Sequence, residues 1–231
     1  MKFLTYIKYF YFLATNWNLR IAWYMIRQEI KGEKKYGINT TGADELQSLE
    51  KMGIDTTHAT IYMPVSYSLM EDIFLQLAVN KSQTANRQLQ TSHFLDIGCG
   101  KGRALCLAAH HGFMTVTGLD FSKALCDIAK ANLQHTKKII PELDYEVINN
   151  DAFYFDIPDD VDCIFLFNPF DEIIMSAVAN NIFESLRNNP RRLHIIYVNP
   201  LHKEVFTKAG FKETWYSKKM KYIEAVILTT P

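Results

Sequence analysis

The chain has 231 residues and an apolar fraction of 48%, enough for one sizeable core, so a single domain with a short appendage is expected. Twenty-five Lys and Arg balance twenty-five Asp and Glu, which leaves none of the basic excess of a dedicated nucleic-acid binder. The four cysteines (Cys99, Cys106, Cys126 and Cys163) include no C-x-x-C pair, so the common zinc and redox spacings are excluded; each reads as a reduced, buried thiol, which suits a cytoplasmic protein.

Aromatics crowd the first 28 residues. Phe3, Ile7, Phe10, Ala14, Trp17, Ile21 and Tyr24 follow one another in steps of four and three, the spacing of one helix face. Lys8, Asn16, Asn18 and Arg20 interrupt the stretch, so it lacks the run of about 18 apolar residues that a membrane span needs. Lys8 also divides what a signal peptide would keep continuous. The charges are Lys2, Lys8, Arg20 and Arg27, with no acid before Glu29. Two roles fit such a helix. It packs on its own domain or a second subunit, or it lies in a membrane interface with its cations toward anionic lipid, at the inner membrane face.

Residues 31–36 are charged and read as a boundary, making 1–36 an aromatic-rich helical extension. Residues 37–58 are polar with turn chemistry. Pro64 then opens a helix over 65–79, and 80–91 is a polar loop, so 37–91 reads as a cap segment with one helix. From residue 92 to 231 strands and helices alternate. Strands are expected at 93–97, 114–119, 145–148, 163–167 and 193–198; helices at 103–110, from Ser122 to about Thr136, at 171–187 and at 202–209. Two β-rich runs, 211–217 and 222–229, close the chain as a hairpin. Continuous apolar strands alternating with helices predict a doubly wound, mostly parallel seven-stranded α/β sheet, the hairpin adding one antiparallel strand.

Ligands of such sheets bind beyond the C-terminal strand ends, and four strand ends here carry informative residues. The first is Asp96-Ile97-Gly98-Cys99-Gly100-Lys101-Gly102, whose glycines permit a tight turn and close backbone approach to a ligand, with Asp96 just before them. The spacing is G-x-G-x-G, which disfavours the dinucleotide fingerprint and hence an NAD-dependent dehydrogenase. The second is Asp120-Phe121, where Asp120 lies 22 positions after Gly98 and is placed to accept two ribose hydroxyls. The third is Asn150-Asp151-Ala152-Phe153, and the fourth is Phe167-Asn168-Pro169-Phe170-Asp171.

Together these segments resemble the class I S-adenosylmethionine-dependent methyltransferases, in a bacterial branch with an Asn-Pro-Phe motif, over roughly residues 92–231. The resemblance implies S-adenosylmethionine as cofactor, held by Asp96, Gly98, Cys99, Gly100, Gly102, Asp120, Phe121, Asp151, Ala152 and Asn168, with ribose on Asp120 and adenine near Phe121 and Asp151. Tyr62, in the upstream segment, is expected near the methionine end. The Asn-Pro-Phe segment is similar to the Asn/Asp-Pro-Pro-Tyr/Phe motif of amino-group methyltransferases. That likeness implies acceptor roles for Asn168 and Pro169 and a stacking ring for Phe170. The second proline is missing, which weighs against a nucleobase acceptor. The favoured acceptor is a protein lysine or a small amine. The competing readings are an oxygen acceptor, with Asp171 or Glu172 as base, and a non-enzymatic cofactor- or nucleotide-binding assembly protein. The histidines show no metal-site spacing, and no metal is expected.

Overall fold

A computed structural model describes residues 2–42, 63–82, 92–167, 170–219 and 223–231. Its centre is a seven-stranded sheet in the order β3-β2-β1-β4-β5-β7-β6. The strands are β1 (His93–Ile97), β2 (Thr115–Asp120), β3 (Asp144–Asn149), β4 (Val161–Phe167), β5 (His194–Val198), β6 (Lys212–Lys219) and β7 (Ile223–Thr229). The first five pair in parallel, and β7 runs antiparallel to both β5 and β6, as the closing hairpin predicts.

Side-chain alternation along each strand splits the core into two layers. Phe94, Val116, Cys163, Phe165 and Ile196 face one side with α3 (Tyr67–Ser82), α4 (Arg103–His110) and α5 (Lys123–Ile139). Leu95, Ile97, Ile164, Leu166 and Tyr197 face the other with α6 (Glu172–Asn188) and α7 (Glu204–Lys208). Strands buried on both faces explain the uninterrupted apolar runs in the sequence.

The N-terminus departs from the sequence reading in two ways. The expected single helical face is broken into a hairpin of α1 (Lys2–Asn16) and α2 (Leu19–Tyr36). Asn18 ends the first helix and caps the second, its Oδ1 accepting from the Ile21 amide at 2.9 Å. The break turns Phe3 and Ile7 outward, while Tyr9, Leu13, Ala22, Met25 and Ile26 form the hairpin's own core. Second, residues 31–36 are helical, the last turns of α2, which ends at Gly37 in the left-handed conformation. Gly32 sits there because the Tyr67 ring packs on it; a Cβ would lie 2.3 Å from that ring. Among the described residues no helix is long and apolar enough to cross a membrane.

A buried polar network clamps this hairpin to the sheet domain. Arg103, the first residue of α4, forms a bidentate ion pair with Glu29 of α2, Nη1 reaching Oε1 at 2.8 Å and Nη2 bonding Oε2. Its other donors reach the Val65 carbonyl at 2.7 Å and Thr40 Oγ1 at 2.8 Å, and its guanidinium lies 4.1 Å from the Tyr67 ring centroid. Glu33 accepts from the Thr40 and Thr41 amides and from Tyr6 Oη at 2.7–2.8 Å. Thr41 Oγ1 is 2.7 Å from both Glu29 Oε2 and Glu33 Oε1, and its single proton serves one of them. Burial pushes the Glu33 carboxyl up, but the hydrogen bonds from Thr41, Tyr6 and Thr40 outweigh it and hold the group below its ordinary value. Its contribution to stability is therefore present above that ordinary value and lost as pH falls through the lowered one.

Candidate active site

Strand order fixes where a ligand can sit. The chain runs from β1 outward to β2 and β3, then returns to place β4 on the other side of β1. The crossovers diverge at the C-terminal ends of β1 and β4, which opens a crevice there. Ile97 pairs with Leu166 in register, so the glycine loop after β1 starts beside the C-terminal end of β4.

The loop is held from β2. The amides of Gly98 and Cys99 both bond the Leu119 carbonyl, at 2.8 and 2.9 Å. Gly98, Gly100 and Gly102 all take positive φ, between 53° and 83°, a region closed to most side chains. Gly118 on β2 is a glycine for packing: a Cβ would stand 2.5 Å from Leu105 Cδ1 and 2.9 Å from Cys99 Sγ. Nothing in the sequence distinguished Gly118, whose role depends on α4 lying across β2.

Asp120 ends β2 and grips the loop. Its Oδ2 accepts from the Gly100 amide at 2.8 Å and its Oδ1 from the Ser122 amide at 2.9 Å. Each carboxylate oxygen has a second lone pair. Ser122 caps α5, as expected, through Leu125. Asn149, paired opposite Asp120 on β3, donates to the carbonyls of Asp120 and Phe121 at 3.0 and 2.8 Å. Its role as a brace between two strand ends was not visible in the sequence. Phe121 is half-buried and Ala152 buried, whereas Asp151 is exposed and caps a short 3-10 turn, Oδ1 accepting from Phe153 at 2.9 Å.

Asp96 is 3% exposed, with no hydrogen bond to its carboxylate among the described residues. Burial, and then the Asp120 charge, push it well above its ordinary 3.8. Burial also raises Asp120, against the lowering effect of the Ser122 and Gly100 amides. The native state thus holds the Asp96 proton more tightly than the unfolded chain does. Stability falls as pH rises from 3.8 through the raised native value. The two acids lie at the ends of neighbouring strands, and burial favours the neutral form of each. The Cys99 thiol is raised by burial and by both acids, which leaves it a packing group and no nucleophile.

The remaining expected residues divide. Phe170 is 9% exposed and packs in the cluster on the α6 side of the sheet. Asp171, considered as a base, caps α6, with Oδ1 accepting from the Ile173 and Ile174 amides at 3.1 Å. Asn168, Pro169 and Tyr62 lie outside the described residues. Upstream, residues 37–42 dock against the outer side of the loop. Asn132 of α5 bonds both Asn39 and the Lys101 carbonyl, and Lys101 Nζ reaches the Thr41 carbonyl at 3.4 Å. Among the described residues no three His, Cys, Asp or Glu come together as a metal set.

Comparison with known proteins bears on the fold. The model of a family described as a methyltransferase domain matches residues 94–189, from β1 to just past α6. A ubiquinone biosynthesis O-methyltransferase of Coxiella burnetii is 39% identical over 71 residues, 30% of this chain and 30% of that protein's length. Among solved structures, a magnesium protoporphyrin IX methyltransferase from Synechocystis with bound S-adenosylhomocysteine superposes with a TM-score of 0.53 at 12% identity, covering 80% of this chain and 94% of that one. An RNA methyltransferase from Salinibacter ruber in complex with S-adenosylhomocysteine gives 0.52 at 16% identity, over 73% and 94%. At such identities these two establish the fold.

Proposed function

We propose that this chain is a class I S-adenosylmethionine-dependent methyltransferase and that it transfers the methyl of S-adenosylmethionine to a nitrogen of a protein side chain or small amine. The observation that carries the cofactor assignment is the Asp120 carboxylate, fixed to the Gly100 and Ser122 amides at the crevice mouth. Its remaining lone pairs would accept two ribose hydroxyls. The buried Asp96, without a described partner, suits the cationic methionine end, while Phe121, Asp151 and Ala152 would border the adenine. When bound, the cofactor supplies an activated methyl on a sulfonium, so the protein needs only to position the acceptor, align it and exclude water. The backbone of Gly98, Cys99, Gly100 and Gly102 would shape the floor of the site. Asn168 and the Pro169 carbonyl would accept the N–H groups of the amine and aim its lone pair.

Asp96 links binding to pH. A cation beside Asp96 favours its ionised form, so binding should expel the proton that burial retains. S-adenosylmethionine is therefore expected to bind more tightly as pH rises through the raised Asp96 value. Calorimetry in buffers of different ionisation enthalpy should show net proton release, and Asp96→Asn should abolish it. Proton release unchanged in Asp96→Asn would remove Asp96 from the methionine end.

The test of function joins titration with S-adenosylmethionine and S-adenosylhomocysteine to transfer of labelled methyl into a cell extract. Wild type should bind both ligands and label an amine product, and Asn168→Ala should lose at least about a hundredfold in turnover while still binding the cofactor. Binding of neither ligand would refute the cofactor assignment. An oxygen acceptor is the second reading, favoured by the 71-residue likeness to an O-methyltransferase. A hydroxyl product with Asn168→Ala fully active would replace the nitrogen reading with it.

A further inference from the structure

We propose that the outer face of the α1–α2 hairpin docks this protein onto an anionic lipid bilayer. On α1, Phe3, Ile7 and Tyr11 recur every fourth residue with Leu4 beside them, and all four project into solvent. Phe3 is 77% exposed and Tyr11 71%. On α2, Leu19, Trp23 and Ile30 are likewise exposed, Trp23 to 61%. Trp23 meets Phe10 of α1 edge-on, ring centroids 6.4 Å apart, so the two apolar stripes form one face. A surface of this size and composition on a domain with a complete core of its own marks an interaction site.

Charge selects the occupant. Residues 1–36 hold seven Lys and Arg against two Glu, a net +5, so the neutral chain carries −5 in the remainder. Both glutamates, Glu29 and Glu33, are buried in the Arg103 network, so the hairpin shows no acid to solvent. Exposed Lys8, Arg20, Arg27, Lys31 and Lys34 border the apolar face. Aromatics ringed by uncompensated cations match the interfacial region of an anionic membrane, where rings sit at headgroup level and cations meet phosphate. A second copy of the chain suits the face poorly, since a two-fold contact sets the same patch against itself and opposes like charges. The Glu29–Arg103 pair holds α2 to the first turn of α4, so the face is presented by a rigid element. The assignment stands apart from the methyl-transfer reading.

The test is flotation of the full-length protein with vesicles of phosphatidylcholine alone and of an equimolar mixture with phosphatidylglycerol. The protein should rise with the anionic vesicles at low salt and less at high salt. Arg20→Glu with Arg27→Glu should weaken that partition by at least roughly tenfold. Trp23→Ser with Tyr11→Ser should also weaken it, with S-adenosylmethionine titration unchanged. In a Trp17→Phe, Trp215→Phe background, Trp23 emission should shift to the blue on anionic vesicles. Failure to float, or equal binding to both vesicle types, would overturn the proposal. So would a solution dimer that Trp23→Ser dissociates and that ignores vesicles, because the face would then join two copies.

Discussion

Replacing Arg103 by Met should destabilise the protein by about 3–5 kcal/mol, because it leaves Glu29 as a buried charge without its counterion. Glu29 is 0% exposed, so the cost falls on a carboxylate that water does not reach. The same substitution removes the donor to the Val65 carbonyl and one of the partners of Thr40 Oγ1, which keeps the Tyr67 hydroxyl at 3.2 Å. For a chain of this length a loss of that size lowers the unfolding midpoint by about 10 °C. Glu29→Met alone should be comparably harmful, since Arg103 then keeps its charge without the carboxylate. The double variant should recover a large part of the loss, because two apolar side chains of similar volume need no partners. Denaturant unfolding of the four proteins as a double-mutant cycle measures the coupling. Strictly additive single effects would show that the pair is not what clamps the hairpin.

The second large effect is expected at Asp120. Asp120→Ala removes a charged acceptor from two ribose hydroxyls, and hydrogen bonds to charged groups contribute about 1.5–3 kcal/mol each. The affinity for S-adenosylmethionine should fall by at least about a hundredfold, at about 1.4 kcal/mol per factor of ten. The glycine loop also loses its anchor, since the Gly100 amide no longer meets an acceptor 2.8 Å away. Asp120→Asn separates the two roles. Its amide keeps the shape, but an N–H donor then faces either Gly100 or Ser122, so affinity should fall by less than in Asp120→Ala without recovering. Calorimetric titration of the three proteins checks this. An unchanged affinity in Asp120→Ala would place the ribose elsewhere and leave Asp120 as a loop brace only.

The pH behaviour of the two acidic groups differs in sign, and that difference separates hairpin from site. Glu33, held below its ordinary value, weakens the hairpin's docking as pH falls. Asp96, held above its own, favours the folded state as pH falls toward 3.8. Acidification should therefore loosen the N-terminal clamp before it disturbs the strand ends.

Sequence by itself determined the sheet and the position of the crevice. Strand periodicity, glycine spacing and the acids at strand ends are short-range features, each readable within a few residues of itself. Hence Asp96, the three loop glycines and Asp120 stand out as candidates in the sequence itself. The closing hairpin was legible for the same reason, since two strands without a helix between them can only pair antiparallel. Tertiary structure decided the rest. The steps of four and three in residues 3–24 run straight through the break at Trp17 and Asn18, so periodicity could not reveal a second helix capped by Asn18. The helical packing of Gly32 was not legible because its partner, the Tyr67 ring, is distant in sequence. Glu29 meets Arg103 across 74 residues, and neither residue's surroundings announce the other. A buried ion pair exists only once packing has excluded water from both partners, so its location is a property of the assembled fold and not of any segment of the chain.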